Sequence, residues 1–598
     1  MVSQKRQDTR IASLSTPLGK DKLVITRFDA TEGLSELFEF RIEALSDEED
    51  INFDRALGQN ATLTFKTHDG GQRHFDGILT EAQWLGVRHT EYVYRIVLRP
   101  WLWLLGHESD SRIFHNMRAP DIIAEVFGEH GFAKFTDRLG KSYRTLEYCV
   151  QFRESDYAFV ARLMEYEGIG FYFEHREGEH TLVLSDSNAS YKQVPGSTRP
   201  FIPLSAGEQR VEEHIYHWIP ERRFTSGKVV MNDYDYKKPP ADMKAEKQGQ
   251  SAYANSKLEI YEYPGKFYER SDGQKYAEVR LNSEQALDQR RLCSGDAISC
   301  FPGGLMTLEK HPSPAQNREY LIIRAAHTFV SEAYRSGSIM DADDTYQGNF
   351  ELLPSDRPFA PLITTEKPRI YGPQTARVVG EGEIDVDEDG RILVEFHWDR
   401  KDKKSRRCRV AQVWAGKEWG GIFTPRVDME VVVNFLDGDP DRPLVVGTVY
   451  NSDNMPPYGL PGDKTISGWK SNSSEGGGGY NEFIFEDKKG EEKIRFHAEK
   501  DLEGKVKNNE TRVVDNDRDT EIKNNDTLEV GKVLDVEAGN KIELRVGSSK
   551  ITMTKTSIKI ESNNVTIKAN GQLTTEGISV DHKAQANMNI KGAIIFIN

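Results

Sequence analysis

A chain of 598 residues is too long for one hydrophobic core and predicts three or four domains. Its formal net charge of −16 argues against broad binding to nucleic acid or anionic membranes, while 10% aromatic residues indicate packed cores rather than disorder. The basic start, MVSQKRQDTR, is followed by no apolar h-region, and no apolar run approaches the roughly 18 residues that span a bilayer. These features predict a soluble protein made in the cytoplasm, whose export bypasses a cleavable leader. The four cysteines (Cys149, Cys293, Cys300 and Cys408) are too few and too scattered for a disulfide framework. Cys293 and Cys300 could pair, but reduced structural thiols fit better.

From about residue 11 to 105, strands and turns alternate. KLVITRFDATEGLSELFEFRIEALS reads as strand, loop, strand, and ATLTFKTHDGGQRHFDGILTEAQWLG as a hairpin turning at Asp69-Gly70-Gly71. YVYRIVLRPWLWLLG ends in an apolar cluster, Trp101 to Leu105, that predicts core packing. Two helices follow. Pro120 suits a first helical turn, and Ile122, Ile123, Val126 and Phe127 fall at helical spacing before Gly128 and Gly131. In the second, Ser155 or Asp156 can cap, Tyr157, Phe159, Val160, Leu163 and Met164 make one face, and Gly168 closes it. GIGFYFEH and HTLVLSD then read as strands around Glu177-Gly178, and a polar helical piece is expected near 273–290. QGNFELLP with Pro358, Pro361 and Pro368 reads as a strand running into a stiff linker, which places a first boundary near 360–372.

Arg391 to Asn451 is dense in strand signals, with alternation at Ile392/Val394/Phe396 and Val431/Val433/Phe435 and turns at Asp389-Gly390, Gly420-Gly421 and Asp437-Gly438-Asp439-Pro440. Short strands with tight turns predict a small closed β-barrel. Beyond it, the Ser/Gly run 471–479 reads as a flexible joint. Aliphatic doublets then recur: Ile542/Leu544, Ile551/Met553, Ile558/Ile560, Val565/Ile567, Ile578/Val580 and Met588/Ile590. The central starts are about seven residues apart, the mark of a β-solenoid or β-helix. One chain offers only about two inward aliphatics per repeat, too few to enclose a core. A fully buried aliphatic is worth roughly 1.5–3 kcal/mol, which these residues contribute only if desolvated on all sides. Three chains wound on a common axis would achieve that, with Ile551, Ile558, Ile560, Val565 and Ile567 facing the axis, so the repeat predicts a homotrimer. The closing GAIIFIN would be a sticky open edge unless something covers it.

Motifs for chemistry are sparse. The sequence has no phosphate loop, no HExxH, no CxxC pair and no GxSxG elbow. His214-x-x-His217 beside Glu212 and Glu213 could ligate a metal on a helix, but no further marked ligand accompanies it. Asp385-Val-Asp387-Glu-Asp389-Gly390-Arg-Ile392 matches the first eight positions of an EF-hand loop. Its twelfth position is Phe396 and no helices flank it, so it reads instead as a hairpin turn between EGEIDV and RILVEFHW. Paired carboxylates for glycoside cleavage remain conceivable in so acidic a chain, yet no segment is left over for a hydrolase domain. No cofactor or metal is expected.

Taken together, YCVQFRESDYAFVARLMEYEGIGFYFEH, FHWDR, VWAGKEWGGIFTPR and GDPDRPLVVGTVYN closely resemble the VgrG family, the spike-tip proteins of bacterial type VI secretion systems. The resemblance covers nearly the whole chain in the family's order. Its signature falls on Trp398, Asp399, Trp414, Gly416, Gly438, Asp439, Pro440 and Asp441. One departure is Asp428, where the family usually has Gly, which puts one turn in question.

The resemblance implies a mainly β fold with a minor α+β part. Residues 1–370 would form a domain similar to the phage tail hub, with two barrel-like subdomains plus helices. Residues 371–455 would form an OB-fold, 456–482 a Gly/Ser linker and 483–598 a triple-stranded intertwined β-helix, the needle. It further implies a non-enzymatic spike that docks on the hexameric Hcp tube beside baseplate components, punctures a target membrane in transient contact, and carries an effector or adaptor. A PAAR-repeat protein would cap the tip at Ile594, Ile595, Phe596, Ile597 and Asn598. Such a protein assembles in the bacterial cytoplasm and is then secreted by the type VI system. No toxin-like domain is expected after the needle. An OB-fold invites a nucleic-acid reading, but the acidic balance and the lack of a basic aromatic groove argue against it. Two alternatives stand beside this: a spike with a cryptic, lysozyme-like hydrolase activity, and a trimeric surface fibre, which would need a signal or anchor.

Overall fold

Strands whose apolar residues alternate with polar ones build the largest element, a 12-stranded sheet. The computed structural model describes residues 7–8, 10–88, 90–204, 212–331, 345–401, 403 and 405–597. One half of the sheet runs through Ala12–Ser15, Asn60–Lys66, Gln72–Arg88, Glu91–Arg99, Glu39–Ser46 and Val24–Gly33. The turn expected at Asp69-Gly70-Gly71 joins the second and third of these, with Gly70 at φ +79°. Val24–Gly33 then pairs with Glu319–Val330, setting Ala30 opposite His327, and the sheet continues through Thr345–Pro354, Arg291–Gly295 and Ile215–Pro220. Segments some 300 residues apart thus share one sheet.

Phe28, Phe40, Phe65 and Phe75 fill the first core, where Phe28 and Phe75 meet edge to face at 4.9 Å. Trp101 and Leu102 are buried in the same core, as the cluster predicted. The helices Ala119–Gly128 and Asp156–Glu167 form where their end signals lie. Ser155 Oγ accepts from the Ala158 amide at 3.1 Å, and Gly168 closes the second helix at φ +73°. A Cβ there would also press on Val279 at 2.6 Å. The strands Gly170–Arg176 and Glu179–Ser185 and the helix Arg270–Gln285 follow the expected order. All four cysteines are free and buried.

The barrel is a five-stranded sheet in the order Leu393–Phe396, Gln374–Val379, Glu430–Phe435, Pro443–Val449, Arg409–Val410. An antiparallel bridge between Ile392 and Cys408 joins its two ends, so no edge is left open. Ile392, Val394, Phe396, Val431, Val433 and Phe435 all point inward, as their alternation requires. EGEIDV is not the partner of RILVEFHW. The partner is Gln374–Val379, because Val378 pairs with Val394 while Asp385 and Asp387 turn back to hold Arg407 and Arg391.

The stretch 456–482, expected to be a linker, contributes a strand. Ile466–Lys470 pairs with Glu482–Glu486, which pairs with Lys493–His497, and the Ser/Gly run only connects the first two. Stacking of Phe483 on Phe496 at 4.5 Å and burial of Ile484 and Glu482 hold this sheet. Tyr458 and Arg495 both bond to the Glu482 carboxylate.

The chain divides between Asp501 and Leu502 into two units. In the second, Lys541–Val546, Ser549–Thr554 and Ile558–Glu561 form an antiparallel meander, and no other strand occurs among its described residues. The register places Leu544 opposite Ile551 and Ile551 opposite Ile560, with Ile542, Met553 and Ile558 on the same face. That face is open in a single chain, with Ile558 71% and Ile560 55% exposed.

Candidate functional site

The signature residues meet where the barrel joins the N-terminal part. Ile113, Tyr148, Val150 and Phe152, from the antiparallel strands Ser109–Arg118 and Thr145–Ser155, are buried in one core with the barrel's interior residues. Trp398 stacks on Phe396 at 5.1 Å, meets Phe152 edge to face at 5.6 Å, and donates from Nε1 to Gln374 Oε1. Asp399 is buried beside it and accepts from the Lys401 amide. The barrel is therefore welded to its neighbour through a shared apolar core.

GDPDRP adds a polar latch to this weld. Gly438, at φ +72°, accepts on its carbonyl from the Ile370 amide at 2.9 Å. Asp439 and Asp441 both bind the Lys367 ammonium, and Asp441 Oδ1 also accepts from the Val150 amide at 2.8 Å. Pro440 is buried between them, fixing the bend that turns both carboxylates to one side. Burial pushes the Asp439 carboxyl up, but Lys367 and Lys266 outweigh it and hold it well below the usual range. Burial pulls Lys367 down, and Asp441 and Asp439 reverse that and raise it. Sequence reasoning marked the two aspartates but missed Lys367, Val150 and Phe152. No local signal marks Lys367, which stands between Glu366 and Pro368 with Arg369 close by, as a solvated linker lysine would.

A cavity of about 1110 Å³ borders this latch, with Arg162, Lys266, Arg280, Lys367, Asp439 and Asp441 among its lining. Its charges answer one another: Arg162 holds Glu154 at 2.7 Å and Arg442 lies 3.4 Å from Asp233. Cys149 also lines it, but burial pushes that thiol up to about 12, far from the thiolate a nucleophile requires.

The remaining signature residues lie elsewhere. Trp414 and Gly416 belong to a small hairpin, in which Ala415–Gly416 pairs with Trp419–Gly420. Gly416 is needed because a Cβ would sit 2.3 Å from the Trp419 ring. Asp428 keeps its turn in the left-handed region, at φ +70°, where Asp is tolerated better than most residues, and Arg377 binds its carboxylate at 3.1 Å. Of the expected axis residues, Ile551, Ile558 and Ile560 share the open face of the meander, while Val565 and Ile567 follow it and are 54% and 69% exposed. Ile594, Ile595, Phe596 and Ile597 are also exposed, and Asn598 lies outside the described residues.

The metal readings resolve into structural roles. His214 precedes a strand rather than lying on a helix. Its Nδ1 is 3.0 Å from Asp296 Oδ1, whereas His217 is exposed along that strand. Asp387 of the EF-hand-like run accepts from the Asp389 and Arg391 amides and from the Arg391 side chain, capping its own turn. Glu108, His130 and Asp156 bring three potential ligand atoms within 4.8 Å. However, Gln151 and the Arg112 guanidinium already share Asp156 Oδ1, so a fixed cation stands against the carboxylate a metal would need.

Comparison with known proteins places these parts. The phage tail baseplate hub (GPD) family matches residues 31–333, the type VI secretion system/phage-baseplate injector OB domain matches 374–450, and the bacteriophage T4 gp5 C-terminal trimerisation domain matches 467–580. The type VI secretion system spike protein VgrG1b of Pseudomonas aeruginosa is 41% identical over 522 residues, 86% of this chain and 70% of that protein. VgrG1a of the same organism is 38% identical, over 85% of this chain and 80% of its own length. VgrG3 of Vibrio cholerae is 30% identical, over 84% of this chain and 50% of its own length. Two solved structures share the fold. An E. coli type VI secretion component with structural similarity to T4 tail proteins gp27 and gp5 has a TM-score of 0.54 at 18% identity, over 73% of this chain and 100% of that one. A lidded Francisella PdpA–VgrG complex has a TM-score of 0.51 at 11% identity, over 80% of this chain and 77% of that one. With a hub, an OB barrel and a trimerisation domain in this order, and with relatives this similar over most of the length, the chain belongs to the VgrG family of type VI secretion system spike proteins.

Proposed function

We propose that three copies of this chain form a structural spike that carries effectors and has no enzymatic activity of its own. The region up to about residue 370 is the hub that docks on the hexameric Hcp tube next to baseplate components. Residues 371–455 are the coupling barrel, and the chain from about 483 onward winds with two others into the needle. Ile551, Ile558, Ile560, Val565 and Ile567 face the threefold axis. Ile594 to Asn598 receive a PAAR-repeat protein, through which an effector or adaptor rides. The spike is assembled in the cytoplasm, leaves by the type VI system and contacts the target membrane transiently.

The observation that carries this reading is the open apolar face of the second unit. Ile558, Ile560, Val565, Ile567 and Ile578 are each more than half exposed in a single chain, an arrangement that is stable only when other copies cover it. Sedimentation of the full chain tests it: a trimer is expected, and a single copy with an unordered C-terminal tract would refute it.

One observation favours the hydrolase alternative. Burial pushes the Glu167 carboxyl up, only partly offset by Arg144 and Tyr276, and the residue lines a cavity of about 540 Å³. Peptidoglycan cleavage by purified protein, lost in Glu167→Gln, would establish that activity. No cleavage is expected.

A further inference from the structure

We propose that the hairpin at residues 412–423 is the knob by which each barrel docks on a second copy of this chain, seated on the outer face of the neighbour's strand Pro443–Val449. Val413, Trp414, Trp419, Ile422 and Phe423 are 86%, 65%, 57%, 78% and 55% exposed. Taking about 150–250 Å² per aromatic side chain, the three rings alone leave on the order of 350 Å² in water. With the two aliphatics, the patch reaches the size of the largest apolar patch on a typical soluble monomer, about 300–600 Å², which is often a functional surface.

The hairpin is rigid as well as apolar. Its indoles meet edge to face at 4.9 Å, and the Gly421 amide donates to the Trp414 carbonyl at 2.9 Å. Gln412 brackets Phe423, accepting from its amide at 2.9 Å and donating to its carbonyl at 3.3 Å. Aromatic anchors held in place before binding lose little entropy on docking, which is the character of an interface hot spot.

The receiving face lies on the same barrel. Along Pro443–Val449 the register slips between Val445 and Gly447, so Val446 is the extra, exposed residue of a bulge and Gly447 and Val449 take the outer face, while Thr448 lies opposite the buried Val431. The side chains this outer face offers are apolar, with Val446 42% and Val449 39% exposed.

Three arguments name the occupant. First, each chain carries −16, so copies repel at a distance, and a contact made of apolar side chains adds nothing to that repulsion. The hairpin's own charges, Lys417 and Glu418, are adjacent and cancel. Second, Arg426, just past the hairpin, donates to the Asn472 carbonyl at 2.9 Å, within the span 467–580 that matches the trimerisation domain. The knob therefore stands beside the segment through which chains join. Third, a threefold ring closes through heterologous contacts, a knob on one face and a different receiving face on the next, and one barrel carries both.

The inference rests on the trimeric reading above, and the test separates the two. The full chain is prepared with Val413→Cys and Val449→Cys together; its native cysteines are all buried. Mild oxidation should yield a covalent ladder ending at three chains, absent from either single variant. The tryptophan emission that Trp414→Ser/Trp419→Ser removes, read as the difference from wild type, should resist acrylamide in the trimer, and ready quenching of it would overturn the proposal. A wild-type trimer with no ladder from the double variant would overturn the proposal, as would a ladder from Val413→Cys alone, which would set the hairpins against one another. A wild-type chain that sediments as one copy would overturn the trimeric reading itself, and the proposal with it.

Discussion

Replacing Lys367 with Met removes the cation of the GDPDRP latch while keeping the length of the side chain. Asp439 and Asp441 would then face each other without their shared partner. Breaking a buried ion pair by deleting one member costs about 3–5 kcal/mol. Here the side chains of Lys367, Asp439 and Asp441 are 16%, 8% and 24% exposed, so water screens part of the penalty. We therefore expect the lower end, about 3 kcal/mol, which multiplies the population of an opened junction by roughly a hundred. Amide hydrogen exchange of the full chain reads this directly, because the Val150 amide donates to Asp441 and the Ile370 amide to Gly438. Peptides covering these two amides should exchange faster in Lys367→Met, while peptides from the Phe28–Phe75 core should not. Neutralising the carboxylates as well, in Lys367→Met/Asp439→Asn/Asp441→Asn, should restore slow exchange, since the cost comes from stranded charge and Asn can still accept the Val150 bond. Unchanged exchange in Lys367→Met, or a triple variant as labile as the single one, would refute the latch.

Four further outcomes are expected. His175 is buried beside Arg73, and burial first, then the Arg73 charge, pull its imidazole down to about 3 from an ordinary 6.5. The unfolded chain then binds a proton that the folded one refuses, so stability falls as pH drops from 6.5 towards 3, by about 2 kcal/mol per group at pH 5. Glu32, held down to about 2 because Arg73 and His327 outweigh burial, adds a loss only below its ordinary 4.5. Urea midpoints against pH should show the first slope flattened in His175→Asn. Asp428→Gly should melt at or slightly above the wild-type temperature, since relief of left-handed strain, about 1 kcal/mol, offsets loss of a surface ion pair worth less than that. Asp428→Val should melt lower, and a clear loss on Asp428→Gly would mean the Arg377 contact dominates. Ile558→Asp would place three charges near the threefold axis at a cost of several kcal/mol each, so the trimer should dissociate or fray on heating; unchanged melting would mean Ile558 faces solvent. Deleting Gly592 to Asn598 should abolish capture of a PAAR-repeat protein while sedimentation still reports a trimer, and retained capture would move that interface elsewhere.

Local physics was legible where neighbours in sequence decide the outcome. The helix Asp156–Glu167 starts at Ser155 and stops at Gly168 because a hydroxyl cap and a left-handed glycine act within one turn. The inward set Ile392/Val394/Phe396 and Val431/Val433/Phe435 followed from period two alone. The seven-residue beat likewise marked a set of aliphatics that a single chain leaves exposed, Ile558, Ile560, Val565 and Ile567 among them. What the sequence could not supply was partnership at a distance. It offered EGEIDV as the mate of RILVEFHW, but Gln374–Val379 took that place, while Asp385 and Asp387 hold Arg407 and Arg391. A Gly/Ser-rich stretch hid the strand Ile466–Lys470, whose pairing depends on aromatic faces that meet only across the sheet. The pairing of Ala30 with His327, the joining of Phe152 to Trp398, and the choice of Lys367 as counter-ion for Asp439 and Asp441 were decided by tertiary structure. A charge or an apolar face is visible in sequence. Which complementary group comes to meet it depends on long-range packing, and no local propensity records that.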